Sequence, residues 1–301
     1  MIIRTRALMA ASAAAALLAL SACADNSDDG GSGGSGSDSA ECTPAAVPSG
    51  TAGLPADIEK AGKIVVGTDA SYAPNEFQDE RNKIVGFDID LFTAVADKLG
   101  VEVEFQNAGF DTLVANVAGG KYDVGVSSFT DNCEREKVVD FVDYFNAGTQ
   151  WATTTGATFD PDNACGRKVA VQTGTVQDTD DLPARQKKCE SDGKAQIQIL
   201  KFDAQGDATT AVVLGQAEAM LADSPVAAYA VKQSGGKLKL AGGVYDAAPY
   251  GYAIPKDTPE LTLAIKDALD ELIADGTYLK ICQTWGVEAG AIDEAVINGA
   301  S

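Results

Sequence analysis

The chain has 301 residues, with 44 Asp or Glu against 23 Lys or Arg, a net charge of −21 and no histidine. So acidic a chain is a poor partner for nucleic acid or an anionic lipid surface. The lack of histidine excludes Ser-His-Asp and Cys-His nucleophiles and any His-containing zinc site, and no GxxxxGK[ST] phosphate loop and no GxGxxG turn between a strand and a helix occurs, so no cofactor or metal is expected.

Arg4 and Arg6 precede an apolar run from Ala7 to Leu20, the layout of a signal peptide over residues 1–22. The run is shorter than the ~20 residues a spanning helix needs, and it ends in Ser21 and Ala22 directly before Cys23. Leu20-Ser21-Ala22-Cys23 resembles the bacterial lipobox, which implies lipid attachment at Cys23, cleavage just before it, and an extracytoplasmic, membrane-anchored protein. The Gly- and Ser-rich stretch that follows reads as a flexible tether, so 23–52 is assigned as lipidated N-terminus and linker.

From Lys63 onward strands and helices alternate. KIVVGT (63–68) reads as a buried strand and 86–100 as a helix whose Ile89, Phe92, Val95, Ala96 and Leu99 share one face, with Gly100 as its stop. VEVEFQ, FDTLVANVAGG, YDVGVSSF and NCEREKVV follow as strand, helix, strand and helix. A second series, KVAVQ to LKLAGG, repeats the alternation on what the sequence suggests is a fresh sheet. Its acidic run Asp178–Asp181 lacks the spacing of a calcium loop and reads as a solvated helix face. A helical stretch from Pro259 to Gly286 closes the pattern. About 250 residues beyond the linker suit two α/β lobes with a cleft between them, where ligands bind beyond the carboxyl ends of strands.

With Cys23 set aside, Cys42, Cys133, Cys165, Cys189 and Cys282 remain. Cys165 opens the KVAVQ strand and Cys189 closes the helix after it. A strand of six residues and a helix of fourteen both span about 20 Å, which brings these two cysteines together as a disulfide. The residues alone do not pair Cys42, Cys133 and Cys282.

Polar and aromatic residues cluster where apolar runs stop. They are Asp69 and Tyr72 after the first strand; Phe110; Ser127, Ser128, Thr130 and Arg135; Thr173, Gly174, Thr175 and Gln177; and Asp223. Taken singly, each has a plain structural role: an aromatic in a core, an arginine in a surface ion pair, an aspartate capping a helix. Together they hold what a zwitterionic amino acid requires. Arg135 offers a planar donor fork for a carboxylate, Asp223 an acceptor for an ammonium, and the hydroxyls and amides complete both shells.

The ordered series GTDASYAPNEF, GFDIDL, FDTLVANVAGGKYDV, SSFT with ER and VDF, VAVQTGT, ADSPVAAY, PYGYAIP and ADGTY with a following Trp resembles the polar amino-acid solute-binding proteins of ABC importers. The resemblance, from about Lys63 to Gly286, implies a two-lobed periplasmic-binding-protein fold of type II with a hinge. It places lobe one at 60–147 plus 253–301, lobe two at 152–247, and crossovers near 146–152 and 247–253. It further implies that Arg135 grips the ligand carboxylate, Asp223 holds the ammonium, and Tyr72 and Phe110 flank the side chain. Ser127, Ser128, Thr130, Thr173 and Thr175 match positions that contact the ligand's backbone groups. Two departures, Asp131-Asn132-Cys133 before Glu134 and Val176 in place of a Thr, leave contacts from those side chains open.

The expected role is therefore binding and not catalysis: a monomer that captures a polar amino acid and delivers it to permease subunits in the membrane. Dehydratases acting on cyclohexadienyl acids such as arogenate share the fold, with Asp69 or Glu76 as conceivable acids, and a ligand-sensing module is a third reading. Within the binding reading, Asp69 has no countercharge once Arg135 and Asp223 hold the headgroup. It therefore favours a basic or amide side chain over an acidic one, without separating the two.

Overall fold

The computed structural model of the protein describes residues 44–300. The predicted signal peptide, Cys23, Cys42 and the linker up to residue 43 lie outside the described residues.

Helix α1 (Ala56–Ala61) leads into β1 (Lys63–Thr68), and a small antiparallel sheet follows in β2 (Ser71–Tyr72), β3 (Glu76–Gln78) and β4 (Ile84–Val85). Helix α2 (Phe87–Leu99) buries Phe87, Leu91, Phe92 and Val95 on its apolar stripe and stops at Gly100, whose left-handed φ of 75° lets its N–H turn back to Ala96 and Asp97. Then come β5 (Glu102–Asn107), α3 (Phe110–Ala118), β6 (Val124–Thr130), α4 (Cys133–Glu136) and the 16-residue β7 (Val139–Thr154). The second series is β8 (Lys168–Gln172), α5 (Leu182–Ser191), β9 (Gln198–Phe202), α6 (Gln205–Val213), β10 (Ala219–Asp223), α7 (Ser224–Gln233) and the 18-residue β11 (Leu238–Pro255). Helices α8 (Pro259–Ala274) and α9 (Thr277–Trp285) and strand β12 (Val296–Ile297) complete the chain.

The strands follow the order β5-β1-β6-β11-β7-β10-β8-β9, with β12 beside β7. β1 is parallel to β5 and β6, and β8 is parallel to β9 and β10, as expected of strands linked by crossover helices. The expectation of a fresh sheet for the second series is corrected: the antiparallel pair β7 and β11 carries one hydrogen-bonded path through both halves. The first part of β7 pairs with β12 at residues 142 and 143, and its last part pairs with β10 from residue 149 on. The register of β11 on β7 shifts between Ala241 and Tyr245 and between Tyr245 and Ala248, so the ladder is irregular where the chain passes from one half to the other.

Each half has its own core. On the β6 side, Phe87, Phe92, Tyr144, Phe145, Tyr250 and Tyr252 pack beneath α2, α8 and α9. On the β8 side, one face gathers Trp151, Val169, Val171, Leu182 and Leu221, and the other packs Ala170, Ala208, Ala211, Met220 and Ala227. Cys165 and Cys189 are bonded, with Cα atoms 5.6 Å apart, and Cys282 is a buried free thiol.

Three local readings are corrected. The helix expected over NCEREKVV is only the four-residue α4, because Val139 is already paired with Pro255 in the long ladder. The acidic run is solvated only in part: Thr179 and Asp180 are exposed, but Asp178 is 3% exposed, accepts from the Gly174 N–H at 3.1 Å and meets Lys201 Nζ at 2.8 Å. The final helical stretch breaks at Gly276, in the left-handed region, and Asp275 Oδ1 accepts from Thr277 N as α9 begins.

Candidate functional site

Loops at the carboxyl ends of β1, β6, β8 and β10 converge where the two halves face each other. Arg135 sits in α4, a helix fixed by Asn132, whose Oδ1 accepts from Arg135 N at 2.9 Å. Its guanidinium lies over Phe110 and Phe129, with centroids 5.5 and 5.9 Å away. Nη1 donates to the Thr130 carbonyl at 2.7 Å, and Nη2 crosses to the other half to donate to the Gly174 carbonyl at 3.1 Å. Gly174 has φ 82°, and a Cβ there would come within 3.0 Å of the Asp111 backbone, so only glycine lets these segments approach. Burial lowers the Arg135 pKa, opposed by the fields of Asp223, Asp180 and Asp131. Two of the five guanidinium N–H groups are engaged by carbonyls, which leaves donors for a carboxylate.

Asp223 ends β10 at the N-cap of α7, yet its side chain makes no capping bond. Instead Oδ2 accepts from the Tyr72 hydroxyl at 2.8 Å and Oδ1 from Gln177 Nε2 at 2.7 Å, while the same amide nitrogen donates to Thr149 Oγ1 at 3.0 Å. Burial raises the Asp223 pKa; Tyr250, Tyr72, Gln177 and Arg135 pull it back. Arg135 and Asp223 thus feel each other's charge from opposite halves, and among the described residues no direct ion pair joins them.

Asp69 follows β1. Its Oδ2 accepts from Phe110 N, the first residue of α3, at 2.9 Å and from Gln172 Nε2 at 3.0 Å. The modest capping role open to this aspartate is therefore present, alongside a contact to the other half. Burial raises its pKa. The Asp69 N–H donates to Ser127 Oγ, which donates to Glu76 Oε1, and Ser128, at φ 49°, takes Asn75 Nδ2 on its hydroxyl and gives its N–H to Asp88 Oδ2. Glu76 and Asp88 lie buried beneath the serines. Glu76 is pushed well above the carboxylate range, first by burial and then by Asp88.

Between Arg135 and Asp223 lies a cavity of about 10 Å³, room for roughly one water. Tyr72, Phe110, Ser128, Thr130, Arg135, Thr175, Gln177 and Asp223 line it, so eight of the predicted positions come together from both halves. Val176 lines it too. Asp69, Ser127, Thr173 and Gly174 stand outside the lining. Asp69 and Gly174 support Phe110 and Arg135, which form it; Ser127 joins Asp69 to Glu76 behind it, and Thr173 turns both N–H and hydroxyl to the Phe202 carbonyl and brings no group to the cavity. A larger groove of about 560 Å³ opens beside the crossovers between Phe145, Tyr229, Leu240 and Trp285, but Lys232 is its one charged lining residue and no opposed charges converge there. The small cavity, not the large groove, carries the chemistry.

The sequence reading overlooked Gln172 and Asn75, and gave Glu76 only a catalytic alternative. Gln172 carries the same strand-end signal as Asp69 and Asp223: a polar residue closing the apolar run Val169-Ala170-Val171.

Residues 64–288 match the model of the bacterial extracellular solute-binding proteins, family 3. The chain belongs to this family. It is 41% identical over 260 residues to the arginine-binding protein ArgT of Corynebacterium glutamicum, covering 86% of this chain and 85% of that protein. Two solved structures of an ancestral arginine-binding protein are similar at 37% identity. The form bound to arginine has a TM-score of 0.67 and covers 74% of this chain and 98% of its own. The form bound to glutamine has the same score and covers 75% and 99%. The two-lobed type II fold expected of family members is the one the chain adopts.

Proposed function

We propose that this family member is the extracytoplasmic solute-binding component of an ABC importer, anchored by lipid on Cys23, and that it captures a free L-amino acid with a basic or amide side chain. The observation that carries this reading is the opposition of Arg135 and Asp223 across one cavity, each held by the opposite half's neighbours yet not neutralised by direct pairing. A carboxylate on the spare guanidinium donors and an ammonium on Asp223 would place a zwitterion across both lobes. Lobe one comprises 60–147 plus 253–301 and lobe two 152–247 in this reading.

A cavity of about 10 Å³ cannot admit an amino acid unless the lobes separate, so capture proceeds by opening and reclosure, and the ligand favours the closed form through its contacts to both lobes. Asp69 lies at the side-chain end behind Phe110. The names of ArgT and of the two solved relatives, which speak of arginine and of bound glutamine, accord with this preference. The monomer delivers its ligand to permease subunits in the membrane. The dehydratase reading fares worse, because Glu76 is sealed behind Ser127 and Ser128, and Asp69 stands outside the cavity lining with Oδ2 accepting from Phe110 N and Gln172 Nε2.

A thermal-shift screen of the common amino acids tests the proposal. Large shifts are expected for arginine, lysine, ornithine or glutamine; a selective, large shift for glutamate would overturn it, as would phenylalanine formed on incubation with arogenate.

A further inference from the structure

We infer that Cys42 and Cys133 form a second disulfide, which fastens the N-terminal tether to α4 and holds Arg135 in place for the ligand. The pairing rests on the proposed lipid attachment at Cys23, and its effect on binding rests on the proposed amino-acid capture.

Cys133 is disulfide-bonded. Of the chain's six cysteines, Cys165 and Cys189 are bonded to each other and Cys282 is a buried free thiol, so the partner of Cys133 is Cys23 or Cys42. A sulfur that carries a lipid cannot also enter a disulfide, which removes Cys23. Contacts at the start of the described chain select Cys42 independently. Ala45 N donates to Glu136 Oε2, and the Ala46 carbonyl accepts from Asn298 Nδ2 at 3.4 Å. Glu136 is 2% exposed, and its other oxygen accepts from Ala300 N at 3.2 Å, so this carboxylate ties both chain ends to α4. Residues three apart on a helix share a face, which puts Cys133 about 5 Å from Glu136 on the side where Ala45 lies. The three residues from Ala45 back to Cys42 span at most about 10 Å, and a disulfide joins Cα atoms about 5.5 Å apart. Cys42 is therefore within reach of Cys133. The bond forms as the two thiols give up two protons and two electrons to an extracytoplasmic disulfide oxidant, which leaves as a dithiol.

Arg135 stands between the two fastenings, two residues after Cys133 and one before Glu136. α4 has four residues, and a single turn does not hold itself in water. It is pinned from outside instead: by the Asn132 cap on Arg135 N, by the chain ends on Glu136, and by the bond at Cys133. Cys133 is thus a positioning residue for the guanidinium two positions on.

The test has two arms, both on the exported mature protein. Non-reducing peptide mapping should recover Cys42 joined to Cys133, with Cys282 the one cysteine open to alkylation after denaturation. Free thiols at Cys42 and Cys133 would overturn the inference; Cys133 joined to Cys23 would overturn it and the lipid anchor together. Calorimetry with L-arginine, well below the unfolding transition, then compares Cys42→Ser with the double variant Cys165→Ser and Cys189→Ser, which breaks the bond of the other half. If the loosened turn holds Arg135 in place about a third of the time, the Cys42 variant binds about threefold more weakly. The double variant should keep its affinity, as a bond that serves stability alone would. Cys133→Ser severs the same bond from the other side and carries the test should the Cys42 variant fail to be exported. Wild-type affinity in the Cys42 and Cys133 variants would overturn the hold on Arg135. A wild type that binds no arginine would remove the proposed capture and that hold with it, and the mapping decides the bond by itself.

Discussion

The two lobes are built from the same alternation of strand and helix, but they solve their packing differently. The β6 side fills its interior with packed rings, Tyr144 stacked on Tyr252 at 4.2 Å and Phe87 tilted against Phe145 at 5.0 Å, beneath three helices. The β8 side has one face made mostly of alanines and is tied by the Cys165–Cys189 bridge. A core of small side chains removes less apolar area from water per residue, and a cross-link that restricts the unfolded chain offsets the shortfall. The two groups proposed to hold the ligand are divided between them, with Arg135 on the aromatic side and Asp223 on the alanine-rich one. In that reading stability is local to each lobe, whereas binding belongs to the pair.

Breaking either half of the site should therefore abolish binding while leaving both cores intact. Arg135→Ala should lose on the order of 2–5 kcal/mol of binding energy, and Arg135→Lys nearly as much, because a point ammonium cannot reproduce the fork. Asp223→Asn should do comparable harm from the other lobe. Calorimetry on all three variants, with unchanged circular dichroism, checks this, and near-normal affinity for the lysine variant would remove Arg135 from its assigned role.

The converse experiment breaks one core and spares the site. Cys165→Ser with Cys189→Ser should lower stability by about 3 kcal/mol, seen as a lowered denaturant midpoint, while affinity at low temperature changes little. A transition in which the β8 side unfolds before the β6 side would sharpen the contrast between the lobes.

The smallest expected effect is a pH dependence belonging to the aromatic lobe. Asp131 and Asp143 are buried together near Glu136 and Gly299, and burial pushes them up to about 9 and about 7. The folded protein holds protons there that the unfolded chain gives up near pH 4. Their contribution is thus fully present below that pH and lost as pH rises through about 7 to 9. Calorimetric melting temperatures should fall from pH 5 to pH 9, and Asp143→Asn should flatten the fall; a variant with the wild-type slope would show that the pair is not its source.

What was legible in the sequence, and what was not, follows from the range of the forces involved. Helix α2 was readable because its apolar spacing and the glycine stop are local, and the Cys165–Cys189 bond because element lengths constrain where chain ends meet. Asp223 was readable since a polar residue ending a buried strand has few places to point except the cleft. β7 and β11 were not, because a strand's period says nothing about which remote partner it meets midway, and these two change partners as they cross between lobes. The burial of Asp178 was missed since its cation, Lys201, sits on β9, far along the chain. Gln172 carried the same strand-end signal, but its bond to Asp69 depends on a residue more than a hundred positions earlier in the chain.

The central claim, that a single amino acid spans both lobes through Arg135 and Asp223, is tested most directly by small-angle X-ray scattering of the wild-type protein with and without saturating L-arginine. The account predicts a smaller radius of gyration with arginine, and no such compaction with agmatine, which lacks the carboxylate that Arg135 would hold. An unchanged radius at arginine saturation, or equal compaction by agmatine, would contradict it.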